Sequence, residues 1–474
     1  MTVVPRLVLS APSSGHGKTA LAVGMLAAFA DRDLTVAGFK VGPDHVDSAY
    51  LGLAAGRPGR NLDPHLVGPQ RIGSLFAQGS AGAGFALVQG TMGLYDSVNG
   101  QPEAESTAAV AAALRSPVVL AVDVSSMGQS VAALVHGFRA YDEQVWLGGV
   151  ILTQVASRRH ESLLRDALDD IGVPVYGALR RHELPPVLPS RRHGVVPVVR
   201  RDAEAIRAVR RLGEAVAGTV DLDRLLVLAR SAPPLTGDQP TTGTGVVAVG
   251  DRPTVETGPA DGAPTTPVVT LGGVGPVVAV AGGPGGSYSH PETVELLRAA
   301  GAEVVVLDPL SDEGLPTGTR ALVVGGGLPE SYADQFSANR RLCIAVAELA
   351  RTGRPVIAEG AGLIWLAREL DGLPMCGVLD AVATRREGLV VGYRKATATV
   401  DSVVAGAGAT VVGYKQHSAV LTPRAGQNSA WTWEGGSPEG FVWRGVHASQ
   451  LTVHWAADPG IATRLVAAAG NPAR

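Results

Sequence analysis

The chain has 474 residues, more than one ordinary hydrophobic core requires, so at least two domains are expected. Its 40 basic and 43 acidic residues are interspersed and leave a net charge of -3, which offers no single-sign field to nucleic acid or an anionic membrane. Two cysteines, Cys343 and Cys376, are too few for a disulfide framework, and no apolar run approaches the ~20 residues of a spanning helix, so a cytoplasmic protein is the expectation.

From residue 6 to about 230, short apolar runs alternate with Ala-rich helical patterns: LVLSA (7–11), TVAGFK (35–40), FALVQG (85–90), PVVLAVD (117–123) and GVILTQ (149–154). Continuous apolar runs suit parallel strands covered on both faces, and a doubly wound α/β sheet is predicted for residues 1–231. Residues 232–273 turn to Pro, Gly, Thr and Asp and read as an extended linker, with VVAV (246–249) a candidate local strand. A second α/β series follows over 274–474, through VVAVAGG (277–283), EVVVLDP (303–309), ALVVGGG (321–327) and PVIAEGAGLIWLA (355–367).

The first strand runs into APSSGHGKT, where Ser13, Ser14, Gly15, His16 and Gly17 precede Lys18 and Thr19 at a helix start. Small residues let backbone N–H groups close around phosphates, Lys18 can reach the outer phosphates, and Thr19 can ligate Mg²⁺. Pro12 stands where the usual loop has its first Gly. After the next strand, FKVGPDHVDSAY brings Lys40, Asp44 and Asp47 to the sheet edge where ligands of such folds bind, as a phosphate contact and Mg²⁺ ligands. Gln89 and Asp96 flank TMGLY after the third run; Asp96 can touch metal or substrate, whereas the Gln89 amide is a weaker Mg²⁺ ligand than a carboxylate. A solvated loop remains the alternative for Lys40, Asp44 and Asp47.

These segments, with RNLDPHL (60–66), VQGTMGLYDS (88–97), VVLAVDVSSMGQSVAALVHGF (118–138) and ELPPVLPSRRHGVVP (183–197), resemble in order and spacing the cobyrinic or hydrogenobyrinic acid a,c-diamide synthases. The likeness continues through GGGLPESYA (325–333), PVIAEGAGLIWL, GLPMCGVL (372–379), VVGYR (390–394) and GVHASQL (445–451). It implies a P-loop synthetase domain followed by a class I glutamine amidotransferase-like, flavodoxin-like domain. It also implies ATP and Mg²⁺ as cofactors, a corrinoid carboxylate as substrate, an acyl phosphate attacked by ammonia, and a homodimer as candidate association. By this resemblance Lys18, Thr19, Lys40 and Asp44 sit with nucleotide and metal, Asp47 and Asp96 lie near metal or substrate, and Thr153 stands where the family has an Asn at the adenine.

Three departures bear on activity. The family's elbow AECGG or AECAG carries the cysteine that attacks glutamine; here it reads AEGAG, with Gly360 at that position. Its GHEFH becomes GYKQH at 413–417, which keeps His417 but not its neighbours. Its Glu in VEGVMGLYDG is Gln89, for which Glu103 or Glu105 nearby are candidate substitutes. The expectation is an ATP-dependent amide ligase without glutaminase activity that takes ammonia or another amine directly. Two alternatives stand beside it: an impaired paralogue serving as a nucleotide- or tetrapyrrole-binding partner, and a synthase whose glutaminase is another chain. His447 and His454, seven apart and without a third ligand in sequence, read as core or surface histidines.

Overall fold

The computed structural model describes residues 3–98, 100–184, 188, 203–235, 275–283, 289–327 and 330–471. The segment 236–274, including VVAV, and most of 183–197 lie outside the described residues. Seven strands form the first sheet: β1 (Arg6–Ser10), β2 (Val36–Val41), β3 (Arg60–Leu62), β4 (Phe85–Gln89), β5 (Val118–Asp123), β6 (Leu147–Val155) and β7 (Val175–Arg180). Their order is β3-β2-β4-β1-β5-β6-β7 and every pairing is parallel. β1, β2 and β4 are buried at every position, as a sheet covered on both faces demands.

Helix α1 (Lys18–Ala30) is apolar nearly all round because it lies between this sheet and the helix Ala203–Thr219. A Cβ on Gly24 would stand 2.7 Å from Leu212 O and 2.6 Å from Val216 Cγ2, so glycine is what allows the two helices to approach so closely. Helix α2 (His45–Ala55) follows β2, and Asp44 caps it by accepting from Val46 N and Asp47 N.

The second half contains two sheets. One is mostly parallel: β8 (Val277–Ala281), β9 (Glu303–Leu307), β10 (Thr319–Val324) and β11 (Val356–Glu359), extended by the later strands β17 (Phe441–Trp443) and β18 (Val446–Ser449) in the order β17-β18-β11-β10-β8-β9. The other is mainly antiparallel, and the apolar runs did not announce it. It comprises β12 (Glu369–Leu370), β13 (Leu373–Pro374), a long hairpin of β14 (Val382–Ala398) and β15 (Thr410–Thr422), and β16 (Trp431–Thr432). After β17 (Phe441–Trp443) and β18 (Val446–Ser449), β19 (Leu451–Val453) joins this sheet beside β15.

The two halves meet through polar side chains. Buried Arg60 donates to Glu292 Oε1 at 2.7 Å and also to Glu295, and Gln78 Nε2 donates to Glu295 Oε2 at 2.7 Å. Tyr393 on β14 donates its hydroxyl to Asp63 Oδ2 at 2.8 Å and packs edge-on against His65.

Candidate nucleotide and metal site

The loop between β1 and α1 carries Gly15 and Gly17 with φ of +96° and +85°, and Gly17 is the residue before the first turn of α1. Positive φ at these two positions turns successive backbone N–H groups towards one side, and the helix start adds positive potential there. A Cβ on Gly15 would meet nothing within 4 Å, so its surroundings are open.

Lys18 is buried and its Nζ folds back to donate to Ser13 O at 2.8 Å and Met92 O at 2.6 Å, bridging this loop and the one after β4. Gly93 permits that approach, since a Cβ there would stand 2.5 Å from Pro12 O. Burial, with the Lys40 charge second, lowers the Lys18 ammonium to about 8, against the pull of Asp47 and Asp96. A polyanion at the loop would relieve that cost.

Beneath the loop, buried Asp47 gathers three donors on Oδ2: Lys40 Nζ at 3.2 Å, Gln89 Nε2 at 2.8 Å and Thr19 Oγ1 at 3.3 Å. Gln89 Nε2 also donates to Thr19 Oγ1 at 2.9 Å, and Lys40 Nζ to Gly90 O at 2.8 Å. Gln89 Oε1 is buried and has no hydrogen-bond partner among the described residues. Thr19 and Asp47 thus bring a hydroxyl and a carboxylate to one place with the Gln89 amide nitrogen on both, and a flip of that amide would add its orphaned oxygen. That oxygen-rich set fits a hard divalent cation such as Mg²⁺.

The other sequence-predicted residues take different places. Asp44 caps α2, and Asp96 Oδ2 accepts from Gly93 N at 2.8 Å, stiffening the loop that Lys18 reaches. His16 Nδ1 accepts from Asp123 N at 2.8 Å, and buried Thr153 donates to His16 O at 3.4 Å, so both anchor the underside of the loop. Ser14 is exposed on its outer side. Glu105 pairs with His65 Nδ1 at 2.7 Å, whereas Glu103 is exposed.

The candidate elbow in the second half follows β11. Gly360 has φ +59°, and a Cβ there would lie 2.7 Å from Thr452 Oγ1, with Gly326 of the GGG turn next nearest. The side chain facing Gly360 is therefore Thr452, which the sequence reading passed over. His417 Nδ1 meets Ala419 O at 2.8 Å and Gln450 Nε2 at 3.2 Å, its Nε2 is buried without a hydrogen-bond partner among the described residues, and burial lowers its pKa to about 4. Lys415 is buried beside it over the Trp433 ring, 5.1 Å from the centroid. Neither cysteine is part of the elbow segment: Cys343 lies in the helix Arg340–Arg351 and Cys376 beyond β13, both buried.

Residues 7–194 match the CobQ/CobB/MinD/ParA nucleotide binding domain, and residues 287–459 match the CobB/CobQ-like glutamine amidotransferase domain. Over 98% of its length the chain is 51% identical to the hydrogenobyrinate a,c-diamide synthase of Streptomyces coelicolor, covering 97% of that protein. The chain belongs to the cobyrinate and hydrogenobyrinate a,c-diamide synthase family. Within that family it is 43% identical to the hydrogenobyrinate a,c-diamide synthase of Thermobifida fusca, with 98% and 97% of the two chains covered. It is 34% identical to the cobyrinate a,c-diamide synthase of Syntrophotalea carbinolica, with 98% of each chain covered. The first sheet with its loop is thus the family's nucleotide-binding domain, and the second half has the amidotransferase-like α/β fold. Among the described residues no helix is long and apolar enough to cross a membrane.

Proposed function

We propose that this chain is an ATP- and Mg²⁺-dependent amide ligase that converts a corrinoid carboxylate to an amide with ammonia, or another amine, not released from glutamine in the same chain. The single observation that carries the ligase reading is the convergence of Lys18, Lys40, Thr19, Asp47 and Gln89 under a loop with two positive-φ glycines. The relatives' names support the substrate class.

In this reading the loop amides and Lys18 hold the outer phosphates, and Thr19, Asp47 and the Gln89 amide hold Mg²⁺. When bound, that ion neutralises charge on the transferring phosphoryl group. Lys18 exchanges Ser13 O and Met92 O for phosphate oxygens, while Lys40 stays paired with Asp47. A substrate carboxylate oxygen attacks the γ-phosphorus as its bond to the β-phosphate oxygen breaks, leaving ADP. Ammonia then attacks the acyl carbon, the C–O bond to phosphate breaks, and the amide forms with loss of a proton. Gly360 supports an external nitrogen donor, because glycine at the elbow has no thiolate to attack glutamine.

The test offers purified protein MgATP and hydrogenobyrinic or cobyrinic acid, with glutamine and ammonium chloride in separate reactions, and follows ADP. Ammonium-dependent, glutamine-independent ADP release that Lys18→Ala abolishes is the expected result. Turnover with glutamine alone would refute the donor assignment. MgATP binding without turnover under either donor would favour a nucleotide-binding partner protein instead. The observation favouring that second reading is Gln89, whose amide nitrogen bonds both Thr19 and Asp47 where the cation would sit.

A further inference from the structure

We propose that His290, Glu292 and His454 form a binding site for a divalent transition metal of the zinc class, separate from the nucleotide loop and independent of the ligase reading. His290 and Glu292 stand at the start of the helix Pro291–Ala299, and His454 directly follows β19. In sequence His454 is far from His290 and Glu292, so no ligand beside it was visible there; the fold supplies two. The three side chains are 3%, 2% and 1% exposed, and one potential ligand atom from each lies within 4.8 Å of the others.

What distinguishes the cluster is its unused valence. His290 Nδ1, Glu292 Oε2 and His454 Nε2 are all buried without a hydrogen-bond partner among the described residues. One such atom is an ordinary exception, whereas three in one cluster, with His454 Nε2 4.0 Å from Glu292 Oε2, call for a shared guest. Burial lowers the pKa of His454 to about 3 and holds His290 well below its usual value, so both imidazoles are neutral at physiological pH. Two neutral imidazoles and one carboxylate are the nitrogen and oxygen set of a three-ligand zinc centre, and too poor in oxygen for Mg²⁺ or Ca²⁺.

The surrounding shell fits this assignment. Arg60 holds Glu292 Oε1 at 2.7 Å, which leaves Oε2 as a single directed ligand. His290 stacks on His454, at 3.9 Å between centroids, and meets His45 of α2 at a tilt of 48°, with centroids 4.6 Å apart. Zinc bonds of ~2.0–2.1 Å at tetrahedral angles place ligand atoms roughly 3.3 Å apart. The 4.0 Å between His454 Nε2 and Glu292 Oε2 must therefore shorten, and one stacked ring must swing. Ligation through His454 Nε2 puts its proton on Nδ1, so the 3.3 Å bond from Ala456 N is the one given up. The ion would tie the end of β19 to the start of the helix that carries Glu292 and Glu295 to Arg60.

The test uses the untagged full chain, incubated with zinc sulfate and dialysed against metal-free buffer before elemental analysis. Wild type is expected to retain about one zinc per chain, and Glu292→Gln and His454→Ala less than about a tenth of that. Cobalt(II) should give the visible absorption of a four-coordinate ion, removed by zinc. Circular dichroism and MgATP calorimetry establish that each variant is folded; if one is not, His290→Asn takes its place, and the wild-type stoichiometry decides by itself. A folded wild type with no retained zinc and no cobalt spectrum overturns the proposal and leaves water as the guest. Folded variants that hold as much metal as wild type overturn it equally.

Discussion

Lys18 and Gly360 decide different halves of the chemistry. Because burial and Lys40 bring the Lys18 ammonium down to about 8, it loses its proton just above neutrality unless phosphate charge holds it. A bound triphosphate raises that pKa, so binding takes up a proton once the free side chain is neutral. MgATP affinity should accordingly be flat below about pH 8 and fall by up to ~tenfold per unit above it, approaching the level of Lys18→Ala. Calorimetry between pH 7 and 9.5 reads this directly; an affinity flat across that range, with Lys18→Ala still weakening binding, would mean that the free side chain keeps its proton, and a flat affinity that Lys18→Ala leaves unchanged would remove Lys18 from the phosphate site. At the elbow, Gly360→Cys restores a thiol but leaves it facing the Thr452 hydroxyl, which does not take a thiol proton at neutral pH. The variant should remain without glutamine-dependent turnover, and should lose about 1 kcal/mol of stability because a side chain is forced to φ +59°. Glutamate release from glutamine by this single variant would show that a base other than Thr452 serves the site.

Among the elements, the parallel strands were legible because their burial is two-sided: LVL, FALV and VVLAV are apolar at every position and lie in β1, β4 and β5. Strands β3 and β7 were missed; β3 has only three residues, and buried Arg60 and Asn61 disguise it. The long hairpin failed to show for a related reason. β15 alternates with period 2, but its buried face presents Gly413, Lys415 and His417 before Ala419 and Leu421, so a hydrophobic pattern never forms. The nucleotide loop was readable from spacing, whereas the pairing of Gly360 with Thr452 depends on the register of β19 against β15 and no linear motif contains it. The contact between halves was equally invisible, since Arg60 meets Glu292 more than two hundred positions away. Arg60→Ala would strand the buried Glu292 carboxylate, and should lower stability by about 3–5 kcal/mol, as breaking a buried pair does. Urea unfolding of Arg60→Ala beside Arg60→Ala/Glu292→Gln checks it: the second change should recover part of the loss, and no recovery would mean the ion pair is not its source.

Across the whole molecule, buried ionisable groups set opposing pH dependences. His417 titrates near 4 and His447 and His454 near 3, with His290 also well below its ordinary value, all through burial first. The unfolded chain protonates these imidazoles near 6.5, so the stability they contribute is present above that pH and is lost as pH falls towards 4. Glu359 acts the other way. Burial raises it to about 8, against the Trp455 Nε1 bond, so it stays protonated in the folded chain while the unfolded carboxyl is ionised down to about 4.5. Its contribution is therefore fully present below about 4.5 and lost as pH rises through 8. Asp63 and Glu439 are also raised by burial, which adds to the offset without matching the lowered histidines, to which His45, at about 4, and His16 also belong. The protein should lose stability as pH falls from 6.5 to 4.5, by no more than about 1.4 kcal/mol per unit for each proton of net difference. Glu359→Gln keeps the Trp455 partner and removes one opposing titration, so its acid loss should be steeper by up to one proton. Urea midpoints at pH 6.5, 5.5 and 4.5, in EDTA so that His290 and His454 titrate without metal, separate the two slopes. Parallel curves for wild type and Glu359→Gln would mean that Glu359 is ionised in the folded protein and that its burial is balanced by a charge partner.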